Sequence, residues 1–394
     1  MRIAHVITRM IVGGAQENTL LCCQDLLRHH GDQVLLITGP SLGPEGDLLA
    51  TFPDHGVPVE RIGCLRRPIH PGRDVLAYWQ LKRVLRNFRP DVVHTHSAKG
   101  GFLGRLAAWK LRVPVVVHTV HGAPFHPYQP WWVRSLFRWC ERYAARRCHK
   151  MISVADAMTH LLVEAGVAPR EKFVTIYSGM QIEPFLEATR ARHQVRRRLG
   201  WGEEHLVIGK IARLFRLKGH DDLVQAAKVV VRRYPQARFL LVGDGILRDA
   251  LQRKIARAGL SAYFHFTGLV APDQIASWIG AMDILVHCSL REGLARALPQ
   301  ALLAGIPVVS YDVDGAREVV LDGTTGYLVA PRDTGGLIKA LLALLADPER
   351  RRAMGEHGRR LCITRFRHET MTAAIRQLYE QLLAEAQKGE ALNR

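Results

Sequence analysis

The chain has 394 residues, 48% of them hydrophobic, which is enough for two or three domains with buried cores and excludes a disordered or collagen-like protein. The net charge at pH 7 is +19, of which residues 1–200 carry +13 and residues 201–394 carry +6. Such a basic chain suits nucleic acid, an anionic membrane or phosphorylated small molecules as partners. Because no zinc finger, RNP motif or basic zipper occurs, we do not expect nucleic acid to be a partner.

The cysteines and apolar runs favour a cytoplasmic location. Seven cysteines are scattered along the chain without a CxxC pair, and their odd number fits a reducing compartment better than a disulfide framework. The first eight residues are predicted to form a strand rather than a signal peptide, because Arg9 interrupts the apolar run. No stretch reaches the roughly 18 apolar residues that a membrane-spanning helix needs.

Short apolar runs alternate with helical patterns along the whole chain. The predicted strands are 3–7, 33–38, 92–96, 113–120, 151–155 and 173–177 in the first half, and 206–212, 237–243, 263–268, 283–287, 307–312 and 326–330 in the second. Near-continuous Val, Ile and Leu indicate parallel strands that are buried on both faces. Alternation of strands with helices predicts an α/β protein with two doubly wound sheets.

The domain boundary is predicted from composition. The segment 188–204 is rich in arginine and ends in glycines, which favours a hinge or linker near 183–205. We therefore predict an N-terminal domain over 1–185 and a C-terminal domain over 186–365, followed by an amphipathic helix over about 366–390 that packs back towards the first domain. Two such domains would face each other across a cleft at the carboxyl ends of their strands, where doubly wound folds bind ligands.

Two loops of the first half are candidates for ligand contact. Gly13 and Gly14 follow the first strand and precede a helix, so the backbone and the free N–H groups there can approach a phosphate. His121 follows a strand that also contains His118, and a histidine there can donate a hydrogen bond to a sugar hydroxyl. A satisfied loop histidine is the alternative. His94 and His96 lie on one face of a strand, but no carboxylate or cysteine cluster accompanies them, and a metal site is not favoured.

The loop after the strand 206–212 carries two cations, Arg213 and Lys218. A planar guanidinium and an ammonium near a strand end suit a diphosphate, and a cation without a partner at that position calls for an anion. The alternative is a solvated loop. The glycines Gly243, Gly245 and Gly268, with Leu269, follow two further strands and are candidates to border a planar base.

The segment REGLARALPQALLAG (291–305) is the last candidate loop. Pro299 is tolerated only in the first turn of a helix, so a helix is predicted to start near 296–298 and to end at Ala304 before Gly305. Glu292 and Gln300 are then separated by up to about 12 Å along the axis, and they can contact one ligand at two places. The backbone N–H groups of 293–296 are candidates to meet phosphates between those places.

Three blocks of sequence together resemble a known family over nearly the whole chain. EGLARALPQALLAGIPVVSYDVDGAREVVLDGTTGYLV (292–329), IARLFRLKGHDDLVQA (211–226) and HTHSAKGGFLGRLAAWKLRVPVVVHTVHG (94–122) are similar to conserved blocks of the family 4 glycosyltransferases. These are retaining enzymes of the GT-B fold that use nucleotide-sugar donors. The resemblance implies two Rossmann-like domains and transfer of a hexose to an acceptor hydroxyl, in the synthesis of cell-surface polysaccharide, lipopolysaccharide or glycolipid.

The resemblance also implies roles for individual residues. Arg213 and Lys218 correspond to the pair that binds the diphosphate, and Glu292 to the first acid of a Glu-x7-Glu motif, which contacts the transferred sugar. Gln300 stands where the family has the second acid, which binds the ribose. The resemblance also implies donor contacts for Gly13, Gly14 and His121. Position at strand and helix ends makes Gly243, Gly245, Gly268, Leu269, Gly293, Leu294 and Ala295 further donor-binding candidates. A second departure is YSGMQIEPF (177–185), where the family often has Asn-Gly-Val-Asp.

The resemblance implies neither a metal nor a cofactor, since two cations cover the diphosphate. A lipid-linked or oligosaccharide acceptor is expected. The basic segment 131–150, with its tryptophans, is consistent with either a helix on an anionic membrane or a domain helix with its aromatic side chains in the core. Two alternative functions stay open at this point: a non-catalytic nucleotide-sugar binding protein, favoured by Gln300, and a nucleotide-sugar 2-epimerase.

Overall fold

A computed structural model of the protein describes residues 1–43 and 45–392. The chain forms two compact units, Met1–Met180 together with the segment from Arg367 onwards, and Gln181–Phe366. The first predicted boundary, after residue 185, lies five residues beyond the observed one after Met180. The second, after residue 365, lies one residue before the observed one after Phe366. In the described ranges, no helix has both the length and the apolar character that crossing a membrane requires.

The first unit contains a seven-stranded sheet in which every neighbouring pair is parallel, in the order β3-β2-β1-β4-β5-β6-β7. Its strands are β1 (Arg2–Arg9), β2 (Gln33–Gly39), β3 (Val59–Arg61), β4 (Val92–His96), β5 (Val115–Val120), β6 (Lys150–Ser153) and β7 (Phe173–Thr175). Its helices are α1 (Gly14–Arg28), α2 (Leu48–Thr51), α3 (Pro71–Phe88), α4 (Ala98–Lys110), α5 (Trp131–Ala145), α6 (Asp156–Glu164) and, from the end of the chain, α15 (His368–Leu392).

The second unit contains a six-stranded parallel sheet in the order β10-β9-β8-β11-β12-β13. Its strands are β8 (Leu206–Ile211), β9 (Ala237–Val242), β10 (Phe264–Gly268), β11 (Ile284–His287), β12 (Val308–Tyr311) and β13 (Gly326–Val329). Its helices are α7 (Glu183–Leu186), α8 (Arg192–Arg198), α9 (His220–Arg233), α10 (Arg248–Arg257), α11 (Ile275–Gly280), α12 (Ala297–Leu303), α13 (Thr334–Ala346) and α14 (Pro348–Arg365).

The predicted class of two doubly wound α/β sheets is confirmed. All twelve predicted strands are present, and the central ones are buried along their whole length, as β4, β5 and β12 show. Such strands need apolar side chains on both faces, which explains their continuous Val and Ile runs. The short edge strand β3 was not predicted, because Val59 is its only apolar residue and Glu60 and Arg61 are exposed.

The last helix, α15, completes the core of the first unit. It packs against α1, and its apolar side chains join the buried cluster under the sheet. These side chains are Met371, Ile375, Leu378, Tyr379 and Leu382. The prediction of one long amphipathic helix at the end of the chain is confirmed, and it starts at His368, two residues beyond the predicted 366.

The arginine-rich segment predicted to be a linker is instead a folded part of the second unit, and the linker prediction is wrong. Helices α7 and α8 pack against α11, and Arg196 is buried. The carboxylate of Asp283 accepts from Arg192 at 2.6 Å, from Arg196 at 2.7 Å and from the backbone N–H of Val207 at 2.7 Å. The high arginine content therefore serves a buried ion-pair network rather than a solvated connection.

Replacing Asp283 by Ala should destabilise the second unit by about 3–5 kcal/mol, because it leaves the Arg196 guanidinium buried without its carboxylate. Urea unfolding followed by circular dichroism measures the change. Glu187→Ala is the control, since that carboxylate forms an exposed ion pair with Arg190 and its loss should cost less than about 1 kcal/mol. Equal losses in both variants would contradict the role given to Asp283.

Candidate functional site

The loop between β8 and α9 is held against the end of β11 by close backbone packing. Gly219 has a φ of +66° and precedes α9, and a Cβ at this position would lie 1.9 Å from the carbonyl oxygen of Cys288. Only glycine combines this conformation with such an approach. The contact places Lys218 beside the loop that follows β11, which carries Glu292.

Lys218 and Glu292 form a half-buried ion pair through Nζ and Oε1. The Nε2 of His287 lies 3.3 Å from the same carboxylate oxygen. Although burial acts to raise it, His287 and Lys218 hold the pKa of Glu292 well below its ordinary value. Burial lowers the pKa of His287. At neutral pH the group therefore consists of a carboxylate, an ammonium and a neutral imidazole.

The backbone of Glu292 is fixed by Asp314, whose carboxylate accepts a hydrogen bond from the Glu292 N–H. Asp314 itself has a φ of +48°, a conformation that is uncommon for a residue with a side chain. Burial raises the pKa of Asp314, while its bond to the Glu292 N–H acts in the opposite direction. Asp314 lies in the turn after β12, the neighbour of β11 in the sheet. This turn therefore fixes the loop that carries Glu292.

Next to this group lies a second, fully buried cation. Lys210, on β8, donates a hydrogen bond from Nζ to the Sγ of Cys288 at 3.2 Å, and that sulfur lies 2.9 Å from the carbonyl oxygen of Gly219. Both side chains are buried. Sequence reasoning did not single out either residue, nor His287 or Asp314. Their positions at or near strand ends were visible, but the partner of each lies on another strand.

Arg213 lies on the same loop as Lys218, is exposed, and its guanidinium lies 5.0 Å from the centre of the Phe215 ring. The carbonyl oxygen of Arg213 is 3.1 Å from Nε2 of His220. Burial lowers the pKa of His220 to about 4, so that its ring is neutral and can donate to this oxygen. The expectation of a cation without a partner is wrong for Lys218, which Glu292 neutralises.

The glycines predicted to border a base have a structural reason of their own. A Cβ on Gly243, which has a φ of +131°, would lie 2.3 Å from the carbonyl oxygen of Ala212, and one on Gly245 would lie 2.6 Å from that of Leu214. Gly268 has a φ of +72° and accepts a hydrogen bond from the Gly243 N–H at 3.2 Å. The loops after β8, β9 and β10 are therefore packed together through their backbones.

The predicted helix with Pro299 in its first turn is confirmed as α12. Its end is also as predicted: Gly305 has a φ of +76°, and the N–H of Ile306 donates to the carbonyl of Ala301 at 2.9 Å, which closes the last turn. Gln300 is half-buried in the first two turns. Of the other candidate donor contacts nearby, Gly293 and Leu294 are half-buried, Ala295 is buried and Leu269 is exposed.

In the first unit, histidines gather on three neighbouring strands: within β1, within and at the end of β4, and just after β5. The register of β1 and β4 pairs His5 with His94, and the period of two places His96 on the same face, with ring centres of His94 and His96 4.2 Å apart. His121 follows β5, and its Nε2 lies 3.2 Å from Nδ1 of His96. His118 is different, because it lies within β5 and contacts Thr95 Oγ1 at 2.9 Å.

One ring nitrogen from each of His5, His94 and His96 lies within 4.8 Å of the other two. A metal ion could bridge atoms at this spacing. Hydrogen bonds explain the spacing equally well. His5 contacts His96, and His94 contacts the hydroxyls of Tyr379 and Thr119. Gly13 and Gly14, the other candidates of this unit, lie at the start of α1, where the Gly13 carbonyl accepts from Gln16 and Glu17.

Helix α5 exposes its three tryptophans, whereas Phe137 and Tyr143 are half-buried, so the alternative that placed the tryptophans in the core is wrong. Trp131, Trp132 and Trp139 are 74%, 59% and 58% exposed. Two arginines of this basic segment are engaged within the unit: Arg138 and Arg142 donate to the carbonyl oxygens of Ala165 and Gly166 at the end of α6. The buried face of α5 consists of Glu141, Ala144 and Ala145.

Two family profiles together match most of the chain. The profile described as "Glycosyl transferases group 1" matches residues 191–361, and the one described as "Glycosyl transferase 4-like domain" matches residues 14–179. The first lies within the second unit and the second within the first unit.

Characterised proteins are similar over most of their length. The UDP-Gal:alpha-D-GlcNAc-diphosphoundecaprenol alpha-1,3-galactosyltransferase of Escherichia coli is 28% identical over 88% of this chain and 88% of its own. The 2-deoxystreptamine glucosyltransferase of Streptomyces kanamyceticus is 30% identical over 68% of this chain and 71% of its own. The crystal structure of Anabaena HepE in complex with UDP and glucose is 23% identical, with a TM-score of 0.80 over 96% of this chain and 99% of that one.

These findings confirm the family and the fold that the sequence blocks implied. Both relatives are named as transferases, which supports neither the epimerase nor the binding protein. The chain therefore belongs to the group 1 glycosyltransferases, has the GT-B fold with two Rossmann-like domains, and is a glycosyltransferase enzyme.

Proposed function

We propose that this enzyme transfers a hexose from a UDP-sugar, with retention, to a hydroxyl of a lipid-diphosphate-linked glycan, in the assembly of a cell-surface polysaccharide, lipopolysaccharide or glycolipid. The ion pair of Lys218 and Glu292 carries the proposal. It sets a cation suited to a diphosphate beside a carboxylate suited to sugar hydroxyls, at the carboxyl edge of a parallel sheet. The E. coli relative, named for a UDP-sugar donor and a diphosphoundecaprenol acceptor, supports the same substrates.

In the proposed reaction the positive charge of Lys218 and Arg213 stabilises the diphosphate as it leaves, so no metal ion is required. Such electrostatic stabilisation is commonly the largest contribution of an enzyme to rate. Glu292 stays ionised and accepts from hydroxyls of the transferred sugar, and Gln300 binds the ribose. The glycines Gly243, Gly245, Gly268 and Gly293, with Leu269, Leu294 and Ala295, border the nucleotide, and the sequence resemblance supports Gly13, Gly14 and His121 as further donor contacts.

Replacing Lys218 or Arg213 by Ala should lower kcat/KM by at least about 100-fold, because each variant removes a charge from the leaving diphosphate. Release of UDP from a UDP-hexose, with a synthetic prenyl-diphosphate GlcNAc acceptor, measures the rate, and the anomeric configuration of the product tests retention. Lys254→Ala is the control, since Lys254 pairs with Asp221 on the exposed surface of the same unit. Near-normal activity in the Lys218 and Arg213 variants would refute their role.

Replacing Gln300 by Glu should tighten donor binding about fivefold, because a charged acceptor binds a ribose hydroxyl more strongly than an amide oxygen by roughly 1 kcal/mol. Isothermal titration with UDP and with the UDP-sugar measures the change. Gln300→Met, which keeps the length of the side chain, should weaken both. Unchanged or weaker binding by the Glu variant would show that the side chain does not contact the ribose.

The outer surface of α3, α4 and α5 is the proposed contact with an anionic membrane. In the part of the chain that the structure describes, the five exposed tryptophans lie on these three helices, and α4 contacts both α3 and α5. These tryptophans are Trp79, Trp109, Trp131, Trp132 and Trp139. Residues 1–200 also carry most of the positive charge. Exposed indoles on a basic surface favour the interface of an anionic bilayer, where a lipid-linked acceptor is presented.

Flotation with vesicles of anionic phospholipid should recover the protein, and the bound fraction should fall as salt is raised, because the attraction is partly electrostatic. The double change Trp132→Ser and Trp139→Ser should weaken partition at least about tenfold, since it removes two large apolar groups. Ile246→Ser is the control, as Ile246 is 76% exposed on the second unit. Equal partition of all three proteins would exclude this surface as the contact.

A further inference from the structure

Three histidines of the first unit form a continuous hydrogen-bonded file. His5 Nδ1 lies 3.0 Å from His96 Nε2, and His96 Nδ1 lies 3.2 Å from His121 Nε2. His5 and His96 are fully buried, whereas His121 is half-buried in the loop after β5. The file therefore runs from the interior of the sheet to a residue that is proposed above to contact the donor.

The interior rings of the file are uncharged. Burial lowers the pKa of His5 to about 3, and burial together with neighbouring histidines lowers that of His96 well below its ordinary value. A neutral imidazole carries one hydrogen, so it donates from one nitrogen and accepts at the other. In a file of such rings all hydrogens must point the same way. The tautomer of His121 is thus coupled to that of His5.

Two directions are possible, and the far end of the file decides between them. If the hydrogens point towards His121, Nε2 of His5 is a bare acceptor; if they point towards His5, that nitrogen carries a buried N–H. Within residues 1–43 and 45–392, His5 Nε2 has no hydrogen-bond partner. A buried N–H without an acceptor is rarer in proteins than an acceptor without a donor. The hydrogens are therefore expected to point towards His121.

We propose that His5 and His96 are positioning residues, which hold His121 with Nε2 as an acceptor and its hydrogen on Nδ1. His121 then presents its Nδ1–H, a hydrogen-bond donor, to the nucleotide-sugar, because its accepting nitrogen, Nε2, is bound to His96. This inference rests on the proposed function, because the contact of His121 with the donor belongs to that proposal. His94 is not part of the file, since Thr119 and Tyr379 occupy its two nitrogens.

The direct test is long-range ¹⁵N–¹H correlation of the full chain labelled with ¹⁵N-histidine, which distinguishes the two tautomers of each neutral ring. His5, His96 and His121 should all carry hydrogen on Nδ1. A hydrogen on Nε2 of His121 in the ligand-free protein would overturn the proposal. Tightly bound metal, measured by elemental analysis of the same sample, would also overturn it, because a shared ion among His5, His94 and His96 would replace these hydrogens.

Two variants of His96 separate positioning from packing. His96→Asn keeps an amide N–H near the former Nδ1, within reach of His121, whereas His96→Gln places its amide near the former Nε2, towards His5. Both changes disturb the core to a similar degree, which melting temperatures check. The Gln variant should raise the KM for the UDP-sugar about tenfold with little change in kcat, because a ground-state hydrogen bond is lost. The Asn variant should stay within about twofold of the wild type.

Equal effects of both variants on KM would overturn the positioning role. The failure of the underlying function has a different signature: His121→Ala would leave the KM for the donor unchanged, while the tautomers of His5 and His96 seen by NMR would still be those given above. The His96 variants therefore test whether the file positions His121, and the His121→Ala variant tests whether His121 contacts the donor.

Discussion

The ion pair between Lys218 and Glu292 depends on the order of the strands in the second sheet. The two residues are 74 positions apart, and they meet because β8 and β11 are neighbours whose carboxyl ends lie at the same edge. Gly219 lets the two loops approach, and Asp314 fixes the backbone of Glu292. Lys218 and Glu292 neutralise each other's charge. Neither charge is therefore unpaired at its half-buried position. In the proposed reaction the diphosphate competes with Glu292 for the ammonium of Lys218.

The first unit uses the same architecture with different electrostatics. Its neighbouring strands β1 and β4 carry neutral imidazoles rather than an ion pair, and burial is what keeps them neutral. Hydrogen bonds to each other and to the hydroxyls of Thr119 and Tyr379 satisfy most of their nitrogens. Donors without charge suit hydroxyl groups, which are themselves neutral.

Local sequence patterns predicted the helices and strands well. They did not predict which residues meet across neighbouring strands. Continuous Val and Ile runs marked twelve strands, and Pro299 with Gly305 marked both ends of α12, since these residues restrict the backbone directly. The partner of Lys218 was missed, because its identity depends on strand order, which periodicity does not encode. The position of His5 beside His94 was missed for the same reason.

Composition was a poor guide to burial at two segments of the chain. The arginines of 188–204 resemble a solvated linker, but Arg196 is enclosed by Asp283 and backbone carbonyls. The tryptophans of α5 fitted either a core or a surface by composition, and three of them face outwards. A charged side chain is buried when a partner from elsewhere in the chain meets it, and a cluster of exposed apolar side chains, unlike a single one, points to a contact beyond the fold. Neither condition can be read from a local window.

The chain enters the second unit at Gln181 and returns to the first at Arg367, so α15, which completes the first hydrophobic core, is synthesised after the whole of the second unit. While the ribosome is still translating the second unit, the surface that will receive Met371, Ile375 and Tyr379 is uncovered, and His94 lacks the hydroxyl of Tyr379. The second unit, whose chain is continuous, can finish folding before the first. Synthesis of α15, rather than emergence of residues 1–180, is thus the event that completes the core of the first unit.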